Sequence, residues 1–243
     1  TGKIGAVDRT ICLSCMKCTE PCFLHALKSW GDCMTVEEVM AEVAADKNFY
    51  ANSGGGITIS GGEPTVQWEF ALELLKACRQ AGINTCVETC MQTKPEILAQ
   101  FYPLTDYMIT DIKNMDTEVH KKWSGVGNEQ ILANIEQTVK AGVNLTIRIP
   151  IIPGVNDSEE NIHATGQFIR DRLNNRVSQV QLLTYLKMGT EKYESLGLDY
   201  PMGADYQPPA REEREPWIAH LAEILRSYGI NAVAGATTKA KAP

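Results

Sequence analysis

The sequence has little positive charge and no long apolar run. With 23 Lys and Arg against 30 Asp and Glu, the formal net charge is −7, which argues against a nucleic-acid partner that binds a basic surface. No apolar stretch approaches the ~20 residues that a membrane span needs, and no secretory signal is visible. We therefore expect a soluble, cytoplasmic protein with one large domain and, at most, a small appendage.

The sequence also lacks the common catalytic motifs. It contains no plausible Ser-His-Asp set, H-E-x-x-H motif or Walker phosphate loop. His120, His163 and His220 lie on helices of polar pattern, where we expect them to be exposed to solvent. No catalytic residue is assigned, and the chemistry is expected to come from a cofactor.

One stretch indicates where that cofactor binds. Residues Ile57–Pro64 read I-T-I-S-G-G-E-P, an apolar strand that runs into two glycines and an acid before a helix. Glycines allow positive φ and leave room for a ligand to touch the main chain. In α/β folds, ligands bind at such strand ends. Many turns from strand to helix carry Gly-Gly for geometry alone, so this stretch by itself leaves both interpretations open.

The cysteines cluster near the start of the chain. Four of the eight, Cys12, Cys15, Cys18 and Cys22, follow the C-x2-C-x2-C-x3-C spacing of a bacterial ferredoxin cluster site. Three thiolates on such a loop bind three irons of a [4Fe–4S] cluster, and the fourth serves a neighbouring cluster in two-cluster ferredoxins. Zinc is the alternative metal, although zinc sites usually separate two cysteine pairs by a longer stretch. Phe23 stands where such sites usually have proline.

Strand and helix patterns alternate along the rest of the chain. Strands are predicted to begin at residues 57, 84, 107, 144, 178 and 230, with helices between them and a long loop over residues 187–210. Repeated β–α units predict a parallel sheet with helices outside it, as an open or partial barrel. We expect a ferredoxin-like iron–sulfur segment over residues 1–34 and the barrel over residues 35–243.

Charged residues occur where the strands should face inward. Asp111 and Lys113 lie two apart at the end of a strand, and Arg148 lies within an apolar one. Inward charges are costly unless they bind a ligand or each other. An ion pair at the rim for the first two, and anchoring of a loop carboxylate by Arg148, are the structural alternatives. Glu88 and Thr89 close a neighbouring strand and could hold a cation or cap a helix.

The ordered motifs resemble those of a known family. The ferredoxin segment, F-Y-x-N-S-G-G-G-I-T-I-S-G-G-E-P at 49–64, D-I-K at 111–113, I-R-I-P-I-I-P-G-V-N-D at 147–157 and K-Y-E-S-L-G at 192–197 are similar to those of glycyl radical enzyme activating enzymes. These are radical S-adenosylmethionine proteins of the pyruvate formate-lyase activase type. The resemblance implies a partial (β/α)6 TIM-like barrel that uses S-adenosylmethionine and a [4Fe–4S] cluster to generate a radical on a glycine of a partner enzyme.

The resemblance also assigns roles to residues. It implies that Gly61, Gly62 and Glu63 hold the methionyl amino group of S-adenosylmethionine. Asp111 and Lys113 would line the cofactor and substrate-peptide site, and Arg148 would reach the cofactor from a later strand. Glu88 and Asp111 would lie near a monovalent cation. The implied partners are a glycyl radical enzyme and an electron donor of the flavodoxin or ferredoxin type, and the expected state is a monomer.

Two features depart from the family pattern. The C-x3-C-x2-C loop that binds the radical-generating cluster is absent from this sequence, and Leu186 stands where many relatives have histidine. We expect that about the first quarter of a family member is missing here. Cys12, Cys15 and Cys18 would then hold an auxiliary cluster, and Cys22 would serve its lost partner.

Two other functions remain as alternatives. One is a non-catalytic fragment, an electron-transfer or docking module that carries an auxiliary iron–sulfur cluster. The other is a different radical reaction such as ribonucleotide reductase activation. The ferredoxin insert argues against the latter, because that activase type is short and lacks such an insert.

Overall fold

A computed structural model describes residues 7–8, 10–24, 26–29, 31–203 and 205–236. The strands in these ranges are β1 (Gly56–Ile59), β2 (Asn84–Glu88), β3 (Tyr107–Asp111), β4 (Asn144–Ile151), β5 (Gln179–Thr184) and β6 (Ala232–Ala234). The α-helices are α1 (Val36–Ala45), α2 (Lys47–Ser53), α3 (Trp68–Gln80), α4 (Pro95–Phe101), α5 (Thr117–Ser124), α6 (Glu129–Lys140), α7 (Glu159–Leu173), α8 (Thr190–Leu196) and α9 (Arg211–Ser227). Pro64–Gln67 and Tyr102–Leu104 form short 3-10 turns.

The six strands form one parallel sheet in the order in which they occur in the chain. Parallel neighbours need a long crossover connection, and here each pair of successive strands is joined by a segment that contains at least one helix. The order confirms the predicted α/β fold with a parallel sheet, and an open sheet of six sequential strands is consistent with a partial barrel. All six predicted strands exist, with small differences in their bounds.

The two faces of the sheet differ in burial. In β2, β3 and β4 every second side chain is fully buried, as Val87, Met108 and Ile147 are, while the residues between them are half-buried or exposed. The buried face packs against α3, α4, α6, α7 and α9 in one apolar cluster. The other face carries Cys86, Glu88, Asp111, Arg148 and Gln181 and is therefore polar.

Several elements differ from the prediction. Residues 187–210 were expected to be a loop, but they contain the helix α8, and α2 was not predicted. The sequence pattern predicts Asp157 as the cap of the helix after β4, but α7 begins one residue later, because the hydroxyl of Ser158 accepts a hydrogen bond from the Asn161 amide at 3.3 Å. Asp157 instead accepts from the Gly154 amide at 2.8 Å within the preceding turn.

The described residues form two compact units. One contains the residues up to Thr35 together with Lys187–Gln207, and the other contains Val36–Leu186 and the residues from Pro208 onward. All six strands belong to the second unit. The predicted boundary between residues 34 and 35 stays a prediction.

In the part of the chain that is described, none of the helices combines the length and the apolar character that crossing a bilayer requires.

Candidate functional site

The loop after β1 has the open backbone that its glycines suggested. Gly61 has φ +116°, which an L side chain rarely adopts, so the turn itself requires glycine there. Gly62 differs, because a Cβ atom built on it would meet nothing within 4 Å. Space and conformation of the protein alone therefore do not require glycine at 62, and the open position leaves room for a ligand against the main chain.

Glu63 fixes this loop to the end of β2. Its Oε1 accepts hydrogen bonds from the Thr65 amide (3.0 Å), the Thr65 hydroxyl (2.8 Å) and the Thr89 hydroxyl (2.7 Å), while Oε2 accepts from the Cys90 amide (2.8 Å). Burial acts to raise the pKa of Glu63, but the hydrogen bonds from Cys90, Thr89 and Thr65 outweigh it and hold the pKa below its usual range. The carboxylate is thus favoured in its ionised form, and it lines the cavity described next.

A cavity of about 240 Å³ lies at the carboxyl ends of β1, β2 and β3. Its lining residues are Ser60, Gly61, Gly62, Glu63, Glu88, Thr89, Cys90, Thr110, Asp111 and Lys113. The carboxyl ends of adjacent parallel strands open on one edge of a sheet, which explains why residues distant in sequence meet here. Five of the six predicted cofactor-binding residues therefore share one cavity.

Asp111 and Lys113 form the charged wall of this cavity. The Lys113 Nζ lies 3.5 Å from Asp111 Oδ2, so the ion pair considered as a structural alternative exists. Burial raises the pKa of Asp111, and the opposing effect of Lys113 does not cancel it. Beside them, the buried Thr110 hydroxyl has no hydrogen-bond partner among the described residues. This hydroxyl lies on the same buried face of β3 as Met108, so it is not exposed to a ligand in the cavity.

Arg148 does not line the cavity but contacts a residue that does. Its Nη1 donates to Glu88 Oε1 at 2.7 Å, and its Nε donates to Gln181 Oε1 at 3.2 Å. Asp111, Arg148 and Gln181 are neighbours across β3, β4 and β5. The carboxylate that Arg148 anchors is therefore Glu88. Arg148 also lies beside Asp111 on the neighbouring strand, where its charge acts to lower the pKa of Asp111.

Asn156 holds the backbone of Lys113 in place. Its Nδ2 donates to the Lys113 carbonyl and to the Pro150 carbonyl, both at 2.7 Å, and its Oδ1 accepts from the Ile152 amide at 2.7 Å. The residue is only 2% exposed, so these bonds form away from solvent. Asn156 was not predicted to belong to the site, although it is the second-last residue of the motif at 147–157.

The four clustered cysteines are free thiols. Cys15 and Cys18 are exposed, while Cys12 and Cys22 are half-buried. The Cys12 and Cys22 sulfurs accept hydrogen bonds from the amides of Ser14 (3.4 Å) and Leu27 (3.2 Å), which are contacts of the kind that surround cluster-binding sulfurs. Among the described residues, no group of three or more His, Cys, Asp or Glu side chains is arranged to hold a metal ion. The assignment of these cysteines to a cluster stays a prediction.

Other residues of the site were missed or misplaced. Ser60, Cys90 and Thr110 line the cavity without having been predicted. Their positions directly after or at the end of a strand were the available signal. His120, expected to be solvated, is 4% exposed. Leu186, at the position of the family histidine, is exposed.

Comparison with known proteins identifies the relatives of this chain. Residues 15–165 match the model of the Radical SAM superfamily. The (2S)-3-sulfopropanediol dehydratase activating enzyme of Klebsiella oxytoca is 41% identical over 98% of this chain and 74% of its own length. The indoleacetate decarboxylase activating enzyme of Tractidigestivibacter scatoligenes is 35% identical over 95% of this chain and 72% of its length.

A solved structure agrees with these relatives. A domain of pyruvate-formate lyase-activating enzyme from Bacteroides vulgatus is 31% identical, covers 75% of this chain and 99% of the solved chain, and has a TM-score of 0.60. For eight curated relatives, the chain spans between 57% and 75% of their length. Both kinds of comparison point to the same family. The chain belongs to the radical SAM superfamily and, within it, to the activating enzymes of glycyl radical enzymes.

Proposed function

We propose that the protein containing this chain uses S-adenosylmethionine and a [4Fe–4S] cluster to generate a glycyl radical on a partner enzyme by hydrogen-atom abstraction. The observation that carries the proposal is the cavity of about 240 Å³ that gathers Gly61, Gly62, Glu63, Asp111 and Lys113. Membership of the activase family supports it. When bound, the cofactor and cluster supply a 5′-deoxyadenosyl radical, and the residues of this chain supply position and exclusion of water.

The loop after β1 forms one side of the proposed cofactor site. Gly61 and Gly62 leave the main chain accessible, and the ionised Glu63 carboxylate lines the cavity as the acceptor for the methionyl ammonium group. Its four hydrogen bonds hold that acceptor in a fixed direction. Glu63 would therefore bind an ammonium without first having to lose a proton or change its position.

The charged wall of the cavity, formed by Asp111 and Lys113, is the other side of the proposed cofactor site. Asp111 and Lys113 present one carboxylate and one ammonium, the complements of the amino and carboxylate groups of an amino acid. Arg148 would act through Glu88, which it holds at 2.7 Å. Glu88 and Asp111 both line the cavity, which supports the finer proposal that they lie near a monovalent cation.

The cysteine segment would carry the auxiliary cluster. Cys12, Cys15, Cys18 and Cys22 are thiols in the spacing that ferredoxins use, and two of their sulfurs already accept amide hydrogen bonds. A flavodoxin or ferredoxin as electron donor, a monomeric state and a cytoplasmic location remain predictions of the sequence and of the family resemblance.

The test is the binding of S-adenosylmethionine to the full-length protein with its clusters reconstituted, measured by isothermal titration calorimetry. Gly62→Ala adds a methyl group that meets no protein atom within 4 Å, so the fold should be unchanged. The methyl group would overlap a ligand that lies against the main chain. We expect affinity to fall at least about tenfold, which corresponds to roughly 1.4 kcal/mol.

Two further variants complete the test. Glu63→Ala removes the proposed ammonium acceptor and should also weaken binding, whereas Glu69→Ala, at an exposed position on α3, should not. Electron paramagnetic resonance of the partner enzyme would then report the glycyl radical. Equal affinity in wild type and in the Gly62 and Glu63 variants would refute the cofactor site and favour the electron-transfer or docking alternative.

A further inference from the structure

The turn that follows β2 supplies part of the hydrogen bonding that holds Glu63. The Thr89 hydroxyl donates to Glu63 Oε1 at 2.7 Å, and the Cys90 amide donates to Oε2 at 2.8 Å. The same Thr89 oxygen accepts a hydrogen bond from the Met91 amide at 3.0 Å. Because an amide N–H can only donate, the hydroxyl hydrogen of Thr89 stays available for Glu63. The direction of this donor therefore depends on the position of Met91.

Met91 has a backbone conformation that residues other than glycine rarely adopt. Its φ is +57°, in the left-handed region, and its side chain is fully buried. At this φ the Met91 amide contacts Thr89 while its carbonyl contacts helix α6. A strained conformation of this kind persists only where the surrounding structure imposes it. The contacts that impose it are therefore of interest.

Asn134 of α6 holds this turn on both of its sides. Its Nδ2 donates to the Met91 carbonyl at 2.9 Å and to the Thr93 carbonyl at 2.8 Å, so both amide hydrogens are used. Asn134 is 0% exposed, and the two bonds form where water cannot replace them. One side chain of a neighbouring helix thus fixes the segment that directs two donors at Glu63.

A second asparagine, Asn128, makes an equivalent pair of bonds at the start of the same helix. Its Nδ2 donates to the Asn114 carbonyl and to the Met115 carbonyl, both at 2.9 Å, and the residue is 4% exposed. These carbonyls belong to the loop after β3, which makes none of the hydrogen bonds that Glu63 accepts. The two asparagines therefore match in burial and bonding but differ in the loop that each one holds.

We propose that Asn134 is a positioning residue for the binding of S-adenosylmethionine. It does not line the cofactor cavity, and it acts through the turn at Met91, which directs the Thr89 hydroxyl and the Cys90 amide at Glu63. The carboxylate is thereby held in one orientation before the ligand arrives, which lowers the cost of ordering it on binding. This role rests on the proposed function, because it concerns the acceptor of the methionyl ammonium group.

The first experiment follows the titration of Glu63 by carbon-13 NMR in the chain without cofactor, with the resonance assigned by Glu63→Gln. Burial acts to raise the pKa of Glu63, and the hydrogen bonds from Cys90, Thr89 and Thr65 hold it below its usual range. In Asn134→Ala the turn can leave the left-handed conformation, and the donors of Thr89 and Cys90 lose their direction. The titration midpoint of Glu63 should therefore move to higher pH.

Two other variants keep this experiment decisive. Asn128→Ala removes the same number of buried bonds and should leave the Glu63 midpoint at its wild-type value, although the protein loses stability. Asn134→Leu keeps the approximate volume of the side chain and removes both donors, so it opens no large cavity and serves where Asn134→Ala does not fold. A Glu63 midpoint that stays unchanged in a folded Asn134 variant, or that Asn128→Ala moves equally, would overturn the positioning role.

The second experiment connects Asn134 to the cofactor. In the reconstituted full-length protein, calorimetry should show that Asn134→Leu weakens S-adenosylmethionine binding about three- to tenfold, as the loss of one net hydrogen bond would. The KM for the cofactor should rise with a smaller effect on kcat, because Asn134 acts on binding. Wild-type affinity in Asn134→Leu, together with weakened binding in Gly62→Ala, would overturn the role of Asn134 alone. Wild-type affinity in Gly62→Ala and Glu63→Ala would instead refute the cofactor site itself.

Discussion

Among single residues, Glu63 shows how a side chain can serve the fold and a ligand together. Hydrogen bonds from Thr65, Thr89 and Cys90 tie the loop after β1 to the end of β2. The same bonds keep the pKa of Glu63 below its usual range despite its burial. Substitution of Glu63 would therefore alter the position of the loop as well as the acceptor. For this reason Gly62→Ala, which disturbs no protein contact, is the sharper test of the cofactor site.

Asp111 differs from Glu63, because burial raises its pKa. The ionised Asp111 carboxylate should therefore lower the stability of the folded protein, whereas the ionised Glu63 carboxylate raises it. A raised pKa means that the folded protein holds the proton to higher pH than the unfolded chain does. The contribution to stability is present below the unfolded pKa and is lost as pH rises through the folded pKa. We therefore expect Asp111→Asn to increase the free energy of unfolding of the cofactor-free protein at pH 7, while it weakens S-adenosylmethionine binding.

Urea denaturation at several pH values checks this prediction. The advantage of Asp111→Asn over wild type should shrink toward about pH 3, where Asp111 is protonated in both states. Asp171→Asn is the matched control, since Asp171 is exposed and paired with Arg170, and it should give no gain at pH 7. A lower urea midpoint for Asp111→Asn at pH 7 would show that the ion pair with Lys113 outweighs burial.

At the level of elements, sequence patterns predicted what periodicity and turn residues encode. The six strands and most helices follow from apolar alternation and from glycines such as Gly82 and Gly142, which have positive φ. The helices α2 and α8 were missed because each has only seven residues, too few for a clear period. Helix α4 is equally short, but Pro95 marks its first turn. The burial of His120 was missed because it depends on Val126, a residue outside α5 that folds back onto the ring.

The segment after β4 offers a test of how one element positions another. Asn156 uses its side-chain amide to join the Lys113 carbonyl of one loop to the Pro150 carbonyl and Ile152 amide of another. We expect Asn156→Ala to lower the free energy of unfolding by about 2–4 kcal/mol, because it leaves buried backbone groups without partners. Chemical denaturation of the cofactor-free chain measures this directly.

A control substitution shows whether the expected destabilisation is specific to Asn156 or follows when an asparagine elsewhere is replaced by alanine. Asn231 is exposed, and its side chain donates one hydrogen bond, to the Ser178 carbonyl at 2.9 Å. Asn231→Ala should cost no more than about 1 kcal/mol. If Asn156→Ala were equally mild, the backbone of Lys113 would not depend on this amide.

At the scale of the whole molecule, the order of strands and helices along the sequence was enough to predict the topology of the sheet. Repeated β–α units predicted a parallel sheet, and sequential strand order brings Glu63, Glu88 and Asp111 to one edge. Residue identity alone could not tell that Arg148 contacts Glu88 and not the cavity, because that depends on side-chain direction in three dimensions. Nor could it reveal the cavity beside His120, which is formed by residues from two loops and a helix.

The division into two units predicts how the molecule would respond to loss of the proposed iron–sulfur cluster. The main apolar cluster consists of residues between Ala71 and Ala232 and includes none from 187–207 or from the cysteine segment. Replacement of Cys12, Cys15, Cys18 and Cys22 by serine should therefore reduce bound iron and sulfide while it shifts the main thermal transition by less than about 2 °C, followed by far-UV circular dichroism. Chelation of iron from the wild-type chain should leave the same transition in place, unlike in small domains that unfold without their metal. A transition that falls markedly in both experiments would mean that the cluster stabilises the sheet as well, and that the apolar core is not sufficient to hold the six strands together.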